Sequence, residues 1–508
     1  MPTQSHPILT VPAPSRVSHV AMRAVPDESP SDRRREPSPE LLPERLVSLS
    51  DVLAALSHAL DLTSDQPVGH TLRSCLIAGR LAGELGLGAG DRGALHYAVL
   101  LKDAGCSSNA SRFAALFGTD DAWAKRRMKE GDWQSTVGTV VRSLGTVGAG
   151  RSFGVRVRAA VTLARTHEPA REIVAIRCDR GAEIARMIGF PDATADAIRA
   201  LDEHWNGGGY PDGLRGDAIP LLAQIANLAQ TVELFHTKWA STGGVAAGIA
   251  AVCRVVRARR GTWFAPALAD RVLGWSGDAS WWQALDTPDT AAAAAAVSAL
   301  EPDTATRQVD EAGLDVVARA FAEIIDAKSP YTFRHSTNVA AIAVGIAGVS
   351  GLDAAAQRRL GRAGLLHDVG KLGVSNQILD SPARLGPEER MAVERHPRYT
   401  WEVLSRVGAF TEFAWTAATH HEKLDGSGYP WGLLGDALDG PARILAVADI
   451  YEALTADRPY RAGMTPAAAL AIIARDRGPK LCAAAVDALA AWVERAGDGT
   501  APVRNHAA

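Results

Sequence analysis

One passage of the chain is written twice. Gly207-Gly208-Gly209-Tyr210-Pro211-Asp212-Gly213-Leu214-Arg215-Gly216-Asp217 returns as Gly426-Ser427-Gly428-Tyr429-Pro430-Trp431-Gly432-Leu433-Leu434-Gly435-Asp436, and an Ala/Leu/Ile-rich segment follows each copy. Most positions are identical, which marks an internal duplication, so the fold must be one that a single unit can adopt twice. Around both copies apolar residues recur at three- and four-residue spacing, as in Leu72, Leu76 and Leu81 or Val339, Ile342 and Ile346. That is the period of a helix face turned toward a core, and strand-like alternation is scarce. The expected fold class is all-α, with two tandem helical bundles.

Composition shifts set the boundaries. Residues 1–45 are rich in Pro, Ser and Arg and lack clustered apolar side chains, so they are expected to be disordered. A first unit over 46–285 ends near Trp281-Trp282. Thr287-Pro288-Asp289 and the alanine run Ala291 to Ala296 mark 286–306 as a linker, a second unit covers 307–497, and 498–508 is a flexible tail. With a net charge of -3 and 22% charged residues the chain has no general attraction for a polyanion, which argues against bulk nucleic acid as a partner. The cysteines at 75, 106, 178, 253 and 482 form no CxxC pair, so neither a disulfide framework nor a zinc knuckle is expected and a reducing cytoplasm fits. The apolar stretch from Val245 to Val256 is too short to span a bilayer, and no membrane span is expected.

Between Thr332 and Asp449 stands a series of metal-ligand residue types in apolar helical settings. His335 shares a face with Val339, Ile342 and Ile346; His367-Asp368 ends an apolar helix before Gly370; His396 begins another helical stretch. His420-His421 closes the next, and Asp449 interrupts Ile444, Leu445, Val447 and Ile450. A lone histidine on an apolar face is more often a hydrogen-bonded core residue than a ligand. Seven such groups in one region would need many separate partners for buried polarity, and one or two divalent cations would satisfy them together. Imidazole and carboxylate suit Fe, Mn or Zn, and the absence of Cys ligands argues against a structural zinc site.

The stretch His367-Asp368-Val369-Gly370-Lys371, with His420-His421-Glu422 and Asp425-Gly426-Ser427-Gly428-Tyr429-Pro430, resembles the HD-GYP subgroup of the HD phosphohydrolase superfamily over roughly residues 310 to 480. The resemblance implies tandem HD-domain-like bundles and metal ligands at His335, His367, Asp368, His396, His420, His421 and Asp449, with Asp368 bridging two divalent ions. Fe or Mn is the first choice of metal and Zn the second. Some members carry a further Glu where this chain has Tyr331, so a two-metal site is expected. The resemblance further implies that Lys371 faces a substrate phosphate. It places Arg458 and Arg461 at the second phosphate or a guanine, and it makes Tyr429 part of the loop that shapes the site.

The first unit matches this pattern poorly. His70 corresponds to His335, but Lys102-Asp103 stands for His367-Asp368, the chain reads Ile176-Arg177-Cys178-Asp179 where His396 is expected, Leu201-Asp202 replaces His420-His421, and Gln230 replaces Asp449. The resemblance thus implies a cyclic dinucleotide phosphodiesterase, acting first on cyclic di-GMP, with a non-catalytic regulatory or dimerising first half. A homodimer and a diguanylate cyclase are the protein partners consistent with it. Two alternatives stand beside this reading: a related hydrolase of another nucleotide such as cyclic GMP-AMP, and a signalling scaffold without turnover.

Overall fold

The computed structural model describes residues 46–63, 66–117, 121, 169–286, 290–381, 383–457 and 462–496. The segments read as disordered at 1–45 and as a tail at 498–508 lie outside the described residues. Among the described residues helices dominate and the only strands are Val47–Ser48 and Gln308–Val309, so the fold is all-α.

The two halves repeat one order of elements. Each opens with a two-residue strand and a helix, Leu49–Thr63 in the first and Glu311–Asp326 in the second. Each of those helices ends on a buried carboxylate that caps the next one. Asp61 accepts the backbone N–H and hydroxyl of Thr71 at 3.1 and 2.7 Å, and Asp326 does the same for Ser336 at 3.2 and 2.6 Å. Such caps satisfy donors that a helix start leaves open. The helices His70–Glu84 and His335–Val349 follow, then Ala89–Leu101 and Ala354–Leu366. Val339, Ile342 and Ile346 are at most 1% exposed, as their spacing predicts.

The described residues form one compact unit with a shared apolar core. The two short strands pair antiparallel, Val47 with Val309 and Ser48 with Gln308. The opening helices bridge the halves, each packing on its own half and on the other. Leu49–Thr63 packs on the turn Val369–Gly373 and the helix His396–Leu404 of the second half, and Glu311–Asp326 packs on the helix Pro169–Ile188 of the first. Arg180 and Glu323 form an ion pair at 2.5 Å across this contact. The alanine run lies in a helix, Thr290–Ser298, seated against Leu49–Thr63 and His70–Glu84.

One helix is longer than the sequence suggested. Leu221–Arg259 runs for 39 residues, long and apolar enough by length and composition to cross a membrane. The apolar stretch read as too short is only its second half, and non-helical backbone at Gly244 (φ 74°) breaks it. Its first half is packed against the first unit, with Glu233 and His236 buried.

Candidate metal centre

The seven side chains come from five helices that end or pass at one point. His335 opens its helix, and His367 and Asp368 sit where Ala354–Leu366 gives way to the turn Val369–Gly373. His396 opens His396–Leu404, His420 and His421 follow Thr411–Ala418, and Asp449 lies within Gly440–Thr455. Gly370 is required for this convergence, because a Cβ there would meet the His396 carbonyl oxygen at 1.9 Å. The Thr400 hydroxyl ties the same two segments, donating to the His367 carbonyl at 2.8 Å and accepting from Gly370 N–H at 3.1 Å.

Asp368 stands at the centre. Its Oδ2 lies 3.3 Å from Nε2 of both His335 and His367, and its Oδ1 lies 3.2 Å from His396 Nε2 and 3.7 Å from His420 Nε2. Asp449 also reaches both sides, with Oδ1 3.4 Å from His335 Nε2 and Oδ2 3.7 Å from His421 Nδ1. Asp368 is 1% exposed, yet its Oδ1 has no hydrogen-bond partner.

The histidine tautomers show what the centre is built to hold. Nδ1 of His367, His396 and His420 each donates at 2.7 Å to the carbonyl three residues earlier, and Nδ1 of His335 lies 2.6 Å from the Glu452 carboxylate. With Nδ1 protonated, each Nε2 turns a lone pair inward. Two of these lone-pair contacts are direct, His335 with His367 and His396 with His420, both at 3.2 Å. Two neutral imidazoles repel in that arrangement unless a proton or a metal cation lies between them. Nitrogens bound to one divalent ion at about 2.1 Å stand roughly 3.0–3.4 Å apart, which matches. His335, His367 and Asp368 therefore fit one ion and His396, His420 and His421 a second, with Asp368 and Asp449 reaching both.

The local field agrees. Burial works against a charged His335, but hydrogen bonds to Asp368 and Glu452 outweigh it and hold its pKa well above the usual imidazole range. Positive charge is thus favoured at that spot. Burial, reinforced by neighbouring histidines, drives His420 and His421 well below that range, so both are neutral imidazoles suited to ligation.

Lys371 turns its ammonium onto Asp368 Oδ2 at 2.5 Å, a cation already at the rim of the centre. The Tyr429 ring packs on His421, centroids 4.7 Å apart. Arg458 and Arg461 lie outside the described residues. Glu452 was missed in the sequence. It is 2% exposed and orients His335, and Asn338 donates to its second oxygen at 3.1 Å. The duplication carries the signal: Glu233 holds the same place against His70 even though Gln230 has replaced the aspartate three residues earlier. Glu422 is a second such residue, accepting from Trp431 and Leu433 N–H at 2.8 and 2.9 Å to shape the Tyr-Pro loop, as Glu203 does for residues 212 to 214.

The first half keeps this scaffold and changes its charges. A Cβ on Gly105 would meet the Arg177 carbonyl at 1.9 Å, the twin of Gly370 and His396, which fixes Arg177 as the counterpart of His396. Lys102 pairs with Asp103, and Arg177 with Asp202. Burial opposes charge on Arg177, but Asp202 holds its pKa well above the ordinary value. Glu233, despite burial, is held down at about 2 by His70 and Arg73. Where the second half gathers lone pairs, the first gathers closed ion pairs with a side-chain cation on each flank. His204 stacks on Trp263 at 3.8 Å between centroids.

Comparison with known proteins follows the same division. A model of the HD domain family matches residues 161–264 and 319–481, one stretch in each half. The chain is 40% identical over 431 residues to a 3'3'-cGAMP-specific phosphodiesterase of Vibrio cholerae, covering 84% of this chain and 90% of that protein. It is 44% identical over 128 residues to a cyclic di-GMP phosphodiesterase response regulator of Xanthomonas campestris, covering 24% and 33%. A crystal structure of a cyclic GMP-AMP specific phosphodiesterase of V. cholerae superposes with a TM-score of 0.60 at 34% identity, covering 89% of this chain and 98% of that one.

Proposed function

We infer the activity from one premise: the chain belongs to the HD domain family, in its HD-GYP phosphodiesterase branch. It is a metal-dependent phosphodiesterase of cyclic dinucleotides, and its chemistry resides in the second half. The observation that carries this is the pair of imidazole lone-pair contacts at 3.2 Å flanking Asp368, whose Oδ1 has no hydrogen-bond partner.

The preferred substrate is 3'3'-cyclic GMP-AMP. Sequence motifs alone favoured cyclic di-GMP, but the chain is similar to relatives named for either compound. One cGAMP-specific relative aligns with 84% of the chain and so with both halves, whereas two cyclic di-GMP relatives align with 24% and 35% of it. When bound, two divalent cations supply an acidified water and positive charge against the phosphoryl oxygens. The side chains do the rest. Asp368 and Asp449 hold the two sides in register, and Glu452 keeps His335 turned inward. Lys371, beside Asp368, sets a further positive charge at the rim, where a phosphodiester carries negative charge.

The test is a turnover assay on metal-loaded protein with 3'3'-cGAMP, cyclic di-GMP and cyclic di-AMP, products resolved by chromatography. The expected result is a linear dinucleotide product and a kcat/KM for 3'3'-cGAMP at least about tenfold above the other two, equivalent to ~1.4 kcal/mol of discrimination. Equal or better turnover of cyclic di-GMP would reverse the substrate assignment, and no turnover of any member would remove the activity.

A further inference from the structure

Arg334 is the one non-glycine residue with positive φ among the described residues, at φ 58° and ψ 10°. An L side chain is unfavourable there, and such an outlier beside a functional site points to a use for the side chain. The chain contains its own control. Gly69 makes the same turn in the first half, at φ 84° and ψ 7°, just ahead of His70. Glycine therefore serves this backbone without strain, and it stands in the half that lacks the ligands. A side chain at Gly69 would come within 3.0 Å of Arg73, and the corresponding position in the second half is the shorter Asn338. That explains why an arginine has room at 334, but not why the strain is kept.

The residue before it adds a second observation. Phe333 is 64% exposed, the most exposed large apolar side chain among the described residues, and the Arg334 guanidinium lies 5.5 Å from its ring centroid. Its counterpart in the first half is Val68. An aromatic ring and a guanidinium are thus placed within two residues, about 7 Å of chain, of the metal ligand His335. A cyclic dinucleotide has two phosphodiesters and two bases. The metal centre can engage one phosphodiester, which leaves the other, and the faces of the bases, to side chains around the centre. Lys371 is held by Asp368.

We propose that Phe333 and Arg334 form a substrate-recognition pair, the ring stacking on a nucleobase and the guanidinium meeting the phosphodiester that is not cleaved. Base stacking on aromatic rings and arginine is a general mode of holding unpaired bases, and guanidinium suits a phosphate better than an ammonium does. The pair rests on the reading of the second half as a cyclic dinucleotide phosphodiesterase.

The experiment uses the full chain with Arg334→Gly, Phe333→Ala and Phe333→Tyr. Turnover of 3'3'-cGAMP and of bis(p-nitrophenyl) phosphate, a diester without a base or second phosphate, is read beside metal content and Tm. Arg334→Gly should fold at least as stably as the parent and retain its metal. Its kcat/KM should fall about tenfold more for the cyclic dinucleotide than for the small diester, mainly through KM. Phe333→Ala should show a similar selective loss, within the roughly five- to hundredfold range of base stacking, and Phe333→Tyr should restore it. Unchanged KM in Arg334→Gly, or equal losses on both substrates, overturns the pair. The parent's own turnover tests the activity separately: if it cleaves the small diester and no cyclic dinucleotide, the substrate reading fails and the pair falls with it.

Discussion

Lys102→Met tests whether the first half has exchanged metal for side-chain charge. The Lys102 side chain is 0% exposed and its ammonium pairs with Asp103, itself 1% exposed. Methionine keeps most of the volume and removes the charge, and with it the ammonium that pairs with the buried Asp103 carboxylate. Removing one partner of a buried ion pair costs about 3–5 kcal/mol. For a compact unit of roughly 450 residues, that lowers Tm by about 3–5 °C. Replacing both partners, as Lys102→Met with Asp103→Leu, should recover most of the loss, since a buried pair exchanged for apolar groups is often neutral. The assay is calorimetry of the full chain with metal content read in parallel. A Lys102→Met protein as stable as the parent, or one whose second half loses its metal while folded, would refute the charge-exchange argument.

Three further outcomes are expected. Asp368→Ala should release metal from both sides and abolish turnover, because this carboxylate faces both histidine groups; a variant with full turnover contradicts the shared-bridge role. Glu452→Ala should weaken metal affinity about 10- to 100-fold without unfolding the protein, as the loss of an outer partner of a ligating histidine does; unchanged affinity in a metal titration would show that His335 is oriented by something else. A chain beginning at Thr306 lacks the helix Leu49–Thr63 that covers the turn Val369–Gly373, and should lose thermal stability or associate through the uncovered face. A monomer with the parent's Tm would show the bridging helix to be dispensable.

Most of the residues that converge on Asp368 were legible in the sequence, because ligand residue types are conspicuous in apolar helices. His335, Asp368 and Asp449 each interrupt an apolar face. The decay of the first half was legible for the same reason, since Lys102 and Gln230 are poor ligands. The charge exchange was not, because Arg177 and Asp202 lie 25 residues apart and nothing local pairs them. Glu452 escaped notice as an ordinary charge on a helix, although its twin Glu233 could have revealed it. The bridging of the two halves by Leu49–Thr63 and Glu311–Asp326 depends on tertiary packing that periodicity cannot assign. Arg334 could not be recognised as strained without its backbone angles.

The central claim is that the second half holds divalent metal around Asp368 while the first half holds side-chain cations instead. Anomalous diffraction at the metal absorption edge, from crystals of protein purified anaerobically and shown to turn over, tests it most directly. The account predicts two peaks, one among His335, His367 and Asp368 and one among His396, His420 and His421, and none near Lys102 or Arg177. A peak between His70 and Asp103, or no peak at Asp368 in an active sample, would contradict it.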